Sequence, residues 1–187
     1  MNVQHFDTRD EMVRALIKPG ATILEIGVFK GDFAAVLRSL DPALLILIDP
    51  FDGPTVSGDA DGNNVIQSDL RQDYDRLREL YRGDPKVWIW RGRSPDSLKG
   101  FSDWSVDAVY IDGDHSYAGV RADLQEAHRI VKPGGWIFGH DYAMNPLKTA
   151  NRYDFGVKQA VDEFCALHTL RIDAYGLDGC VSYGIRR

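Results

Sequence analysis

Carboxylates, imidazoles and glycines stand at five points of this 187-residue chain, each directly after a short apolar run. In order they are Glu25-Ile26-Gly27 with Gly31 beyond it, Asp49, Arg91-Gly92-Arg93-Ser94, Asp112-Gly113-Asp114-His115, and His140-Asp141. Gly27 lets the backbone turn sharply and approach a ligand where a side chain would collide. Asp49 lies 24 positions after Glu25. An acid there can accept both hydrogen bonds of a ribose diol, or it can cap the turn before Pro50. His115 titrates near neutrality, which suits a general base; capping a helix is its alternative. Two Asp and two His near one edge could hold a divalent ion, or form a hydrogen-bond network without one.

The apolar runs at 22–26, 44–48, 86–90, 106–111 and 136–138 are expected strands of a parallel sheet, buried on both faces. Helical patterns fall at 9–17, from Gly31 to near Leu40, at 65–81, at 117–131, and along Val157, Ala160, Val161, Phe164 and His168. Ser94-Pro95-Asp96 predicts a further helix start, with a serine cap and proline at the first position. Segments 51–64 and 143–155 are expected loops that rim the site. Segments 170–175 and 180–185 form two closing strands joined by a tight turn. The alternation predicts an α/β fold: a Rossmann-like, doubly wound, mostly parallel seven-stranded sheet with a C-terminal antiparallel hairpin. Ligands of such sheets bind at the carboxyl ends of the strands, where the polar residues above fall. Tyr117, Tyr142 and Tyr153 lie near that mouth, to line an acceptor pocket or simply to pack. Of Trp88 and Trp90, at least one is expected in the core.

The stretch Ile23-Leu24-Glu25-Ile26-Gly27-Val28-Phe29-Lys30-Gly31 resembles the first motif of the class I S-adenosylmethionine-dependent methyltransferases: carboxylate, one residue, Gly, three residues, Gly. The dinucleotide fingerprint Gly-x-Gly-x-x-Gly is absent. Asp112-Gly113-Asp114-His115, then Lys132-Pro133-Gly134-Gly135, then His140-Asp141 is similar to the group of these enzymes with Asp-Gly-Asp-His and His-Asp motifs, a relative of small-molecule O-methyltransferases. The resemblance spans about 21–164. It implies S-adenosyl-L-methionine held by Glu25, Gly27, Gly31 and Asp49, with Arg93 or Ser94 near the adenine and Glu25 near the methionine ammonium. It implies Asp112 and His115 as catalytic residues, and a divalent metal, Mg or Mn, on Asp112, His140 and Asp141. His140 departs from the oxygen ligand of those relatives, and imidazole favours Mn, Zn or Fe, or no metal at all. Methyl transfer to a hydroxylated small molecule is the expectation. The alternatives are a non-catalytic S-adenosylmethionine-binding relative and an NAD-type oxidoreductase.

Composition narrows the setting. Length and a 44% apolar, 27% charged make-up suit one globular domain over 1–187. A formal charge of −6 speaks against a nucleic-acid partner, which needs a basic surface. Cys165 and Cys180 give no zinc spacing and no disulfide framework, so both are expected to be small buried hydrophobes in a reducing, cytoplasmic setting. No secretion signal pattern and no apolar run of ~20 residues is present, so no membrane partner is expected. A homodimer is left open.

Overall fold

A computed structural model describes residues 2–58, 64–144 and 156–187, with the backbone alone at 54–58, 64–68 and 144. Positions 145–155 of the second expected loop, Tyr153 among them, lie outside the described residues. The chain runs through β1 (Gln4–Phe6), α1 (Arg9–Leu16), β2 (Thr22–Ile26), α2 (Asp32–Arg38), β3 (Leu44–Asp49), β4 (Pro54–Gly58), β5 (Asn64–Asp69) and α3 (Leu70–Leu80). It continues through β6 (Val87–Arg91), a 3-10 turn (Asp96–Gly100), β7 (Val106–Ile111), α4 (Tyr117–Ile130), β8 (Val131–Met144), α5 (Val157–His168), β9 (Ile172–Gly176) and β10 (Cys180–Arg186).

The main sheet has the order β1-β9-β10-β8-β7-β2-β3-β6. Strands β8, β7, β2, β3 and β6 are parallel, and β10 runs antiparallel between β8 and β9. Side chains alternate across a strand, so the apolar central strands supply two cores. Leu24, Ile26, Ile46, Ile48, Val109 and Ile111 pack with α4 and α5. Ile23, Leu45, Leu47, Ala108 and Tyr110 pack with α1, α2 and Leu77 of α3. Among the described residues, no helix is long and apolar enough to cross a membrane.

Three expectations change. The sheet has eight strands rather than seven, because Gln4–Phe6 adds alongside β9. Segment 51–69 is not simply loop running into helix: β4 and β5 form a separate antiparallel pair, and α3 starts only at Leu70. Its cap is Asp69, whose side chain accepts the Arg71 N–H at 3.1 Å. Finally, Ser94 caps nothing. Its hydroxyl donates to Asp123 Oδ2 at 3.1 Å, and the segment that follows is the 3-10 turn. Trp90 packs partly into the core, whereas Trp88 stays 49% exposed.

Candidate active site

Five parallel strands deliver the polar residues to one edge, as the strand-end argument requires. A cavity of about 640 Å³ opens there, lined by Glu25, Gly27, Asp49, Arg93, Ser94, Asp112 and His115 among others. That volume falls within the range of small-ligand pockets, roughly 300–1,000 Å³. Gly31 does not reach it. It sits behind the loop as the left-handed N-cap of α2, at φ +80°, with Leu77 Cδ2 where its Cβ would stand, 2.4 Å away.

Glu25 is 1% exposed, and its Oε2 has no hydrogen-bond partner. Burial pushes its carboxyl well above the usual carboxylate range; the charge of Asp112 adds to this and Arg9 opposes it. A buried acceptor without a partner is costly, so this oxygen calls for a donor, above all a cationic one, from the cavity. Gly27 has φ +83°, and an added Cβ would meet the Asp112 carbonyl oxygen at 2.1 Å. The glycine is thus needed for the close approach of the β2 and β7 ends to each other, and not only for approach to a ligand.

Asp49 lines the cavity, but its carboxylate is engaged by the protein. Oδ2 accepts the N–H groups of Val28 at 2.8 Å and Phe29 at 3.1 Å, and Oδ1 accepts that of Phe51 at 2.7 Å. The acid therefore pins the glycine loop to the turn after β3. Each carboxylate oxygen can accept more than one bond, so capacity for a ligand hydroxyl is left. Arg93 instead extends outward and pairs with Asp52.

Across the cavity, Asp112, His115, His140 and Asp141 form a ring of alternating carboxylates and imidazoles. His115 Nε2 lies 3.3 Å from Asp112 Oδ1 and 3.2 Å from Asp141 Oδ2. His140 Nδ1 lies 3.3 Å from Asp141 Oδ1 and 3.8 Å from Asp112 Oδ1. The hydrogen bond with Asp112 raises the pKa of His115, burial opposes it, and the charge of Asp141 reinforces it. Burial is the largest influence on Asp141 and works against its ionisation, yet the His140 hydrogen bond and charge, the Cys180 hydrogen bond and the charge of His115 together hold this carboxyl below its ordinary value. Asp141 adopts φ +56°, the left-handed region that Asp tolerates better than most residues. Ser116 caps α4 by accepting the Gly119 N–H at 3.1 Å, which fixes the chain directly after His115.

Among the described residues, the set whose ligand atoms all lie within 4.8 Å of one another is Asp112, His115 and Asp141. Neighbouring ligands on an ion with bonds of ~2.1 Å stand about 3 Å apart, close to the separations around His115. A nitrogen with two carboxylate oxygens suits Mn²⁺, Fe²⁺ or Zn²⁺. The same distances suit an imidazolium shared between two carboxylates.

Two residues escaped the strand-end logic. Arg9, at the start of α1, lines the cavity, places Nη1 3.3 Å from Asp112 Oδ2, and lies 4.5 Å over the Phe33 ring. It reaches the site from a helix before the first core strand, where no motif marks it. Cys180 is half-buried and hydrogen-bonded to Asp141; burial first, then that acid, pushes its thiol up to about 12.

The geometry agrees with what the chain resembles. Residues 24–142 match a protein family described as a methyltransferase domain. An uncharacterized protein of Acanthamoeba polyphaga mimivirus is 24% identical over 141 residues, 74% of this chain and 59% of that protein's length. Among solved structures, a SAM dependent methyltransferase from Aquifex aeolicus is 15% identical with a TM-score of 0.61, over 96% of this chain and 90% of its own. The O-methyltransferase from Bacillus cereus, solved in complex with SAH, is 16% identical with a TM-score of 0.60, over 95% and 78%. Fibrillarin from Aeropyrum pernix, solved with natively bound S-adenosyl-L-methionine, is 15% identical with a TM-score of 0.62, over 94% and 72%. At these identities the structural likeness establishes the fold. With more than half of its residues matched by the family, the chain belongs to the methyltransferase-domain family, and its fold is that of the S-adenosylmethionine-dependent methyltransferases it resembles in structure.

Proposed function

We propose that the chain transfers a methyl group from S-adenosyl-L-methionine to a hydroxyl oxygen of a small molecule. The observation that carries this reading is the continuity of one cavity from the unpartnered Glu25 oxygen to Asp112 and His115. The cofactor supplies an electrophilic methyl on a sulfonium centre. Glu25 would hold its ammonium, the Gly27 loop pinned by Asp49 would take its methionine part, and Ser94 would lie toward the adenine. The family membership and the absent pyrophosphate fingerprint both disfavour the NAD-type alternative.

On the opposite wall, the Asp112 carboxylate would orient the acceptor hydroxyl, while Asp141, behind the wall, would hold the His115 imidazole in place. His115 Nε2, once deprotonated, would take the hydroxyl proton; the carboxylates beside it then stabilise the imidazolium formed. Alignment of the two reactants contributes much of the rate. If a divalent ion is held by Asp112, His115 and Asp141, it lowers the pKa of a bound hydroxyl. His115 then serves as a ligand rather than a base. Arg9 balances the negative charge of the wall in either case.

The test is turnover. Purified protein is incubated with S-adenosyl-L-methionine and a panel of catechols, sugars and hydroxy acids, with Mn²⁺, with Mg²⁺ or with chelator, and methylated product is read by mass spectrometry. Product on an oxygen supports the reading. Cofactor binding without turnover across the panel would point to a non-catalytic relative.

A further inference from the structure

Strand β6 ends the sheet, pairing with β3 alone among the described residues. The Lys86 carbonyl accepts from Leu45 at 2.7 Å, and the Gly92 N–H donates to Asp49 at 3.0 Å. Because backbone groups alternate sides along a strand, residues 86, 88, 90 and 92 bond toward β3. Val87, Ile89 and Arg91 then turn their groups outward from the sheet edge. The Val87 N–H is taken by the Asp84 carbonyl at 3.3 Å. That leaves the Val87 carbonyl and both backbone groups of Ile89 and Arg91 facing out.

Natural sheets blunt such edges with charges, prolines or bulges. This one reads Val87-Trp88-Ile89-Trp90-Arg91, an apolar run with its charge at the end. Trp88 is 49% exposed, and its ring centroid lies 5.2 Å from that of Trp90 on the same face. An exposed indole on an open edge strand is a template for another strand.

We propose that the occupant is a second copy of this chain, its β6 antiparallel to the first about a two-fold axis through Ile89. The sequence is self-complementary in that register. Ile89 faces Ile89, and Val87 faces Arg91, so every outward-facing residue of one strand meets an outward-facing residue of the other. Trp88 of each copy meets Trp90 of the other at positions without direct backbone bonds, where side chains approach closest. Centring on Trp88 instead sets Pro85, which has no N–H, opposite Arg91. Centring on Ile89 also keeps Lys86 opposite Gly92 rather than opposite a cation. The two sheets become one, and the strand carrying Arg93 and Ser94 to the cavity is braced. This inference is independent of the acceptor and of the methyl transfer itself.

Sedimentation velocity tests it directly. At ~100 µM a pair with a dissociation constant of ~10 µM is mostly dimer. Wild type is expected to sediment as a dimer. Trp88→Lys, at an exposed position, is expected to be monomeric with its circular dichroism and melting temperature retained. A mixture of Trp88→Cys and Trp90→Cys chains is expected to cross-link on mild oxidation well above either variant alone, because only the Ile89-centred register brings those two positions together. A wild-type monomer at that concentration overturns the proposal. So does a dimer that survives Trp88→Lys and shows no excess of mixed cross-link.

Discussion

Asp49 Oδ2 accepts the Val28 amide hydrogen at 2.8 Å, joining the tips of β3 and β2 across 21 residues of chain. The same side chain also holds Phe29 and Phe51, so one acid shapes both the loop under the cavity and the turn beside it. A residue expected to serve a ligand is first a part of the scaffold that a ligand would need.

Asp49→Asn keeps the shape but offers one acceptor oxygen, and sets an amide donor against a backbone N–H. Stability without any cofactor should fall by about 2–3 kcal/mol, measured by urea denaturation. An unchanged midpoint would mean that the clamp contributes nothing and that Asp49 serves a ligand alone.

Gly27→Ala places a methyl 2.1 Å from the Asp112 carbonyl oxygen at φ +83°. The ends of β2 and β7 must part, and the expected loss is more than ~3 kcal/mol. Gly20→Ala is the control. It has φ +79° but open space around it, so only backbone strain of about 1 kcal/mol should appear. Equal losses in the two variants would contradict the close-approach argument.

Asp141→Asn separates chemistry from cofactor binding. Asp141 contacts His115 but does not line the cavity. Turnover should drop by ~100-fold or more while S-adenosylhomocysteine affinity stays within about twofold. A matching loss of affinity would place Asp141 in the cofactor subsite instead.

Asp123 predicts a pH signature away from the reaction edge. It is 1% exposed, its Oδ1 has no partner, and burial pushes its carboxyl up to about 6. The folded state therefore binds this proton more tightly than the unfolded chain, whose reference value is 3.8. Its contribution to stability is greatest below pH ~4, declines as pH rises toward ~6, and is flat above. Asp123→Asn removes that decline. The variant should gain up to ~3 kcal/mol relative to wild type between those pH values, read from melts across the series. A constant difference between the two proteins at all pH values would refute the assignment.

The legible parts of this fold are those with strong periodicity. The five central strands and the face of α5 follow from apolar runs and 3.6-residue spacing, because both signals are local. The β4–β5 pair was missed because Gly, Asp, Asn and Ser dominate 51–64, and a short two-stranded ribbon needs little hydrophobic pattern. Gln4–Phe6 forms a strand only through its non-local partner β9. The same holds at the site. Strand tips announced Glu25, Asp112, His115 and Asp141, but nothing local shows that Asp49 points at an amide pair, or that Arg9 arrives from a helix. Nor does spacing tell His115 from His140 as the third member of the compact metal-competent set, since that depends on ligand-atom distances between separate strand ends.

The account rests on a cavity whose buried Glu25 oxygen awaits a cation, and calorimetry with S-adenosylhomocysteine on wild type and Glu25→Gln tests it most directly. Wild type should bind with a micromolar dissociation constant. Glu25→Gln should bind ~10–100-fold more weakly with an unchanged or higher melting temperature, since the variant removes a buried ionisable group. Failure of wild type to bind, or equal affinity in the two proteins, would contradict it.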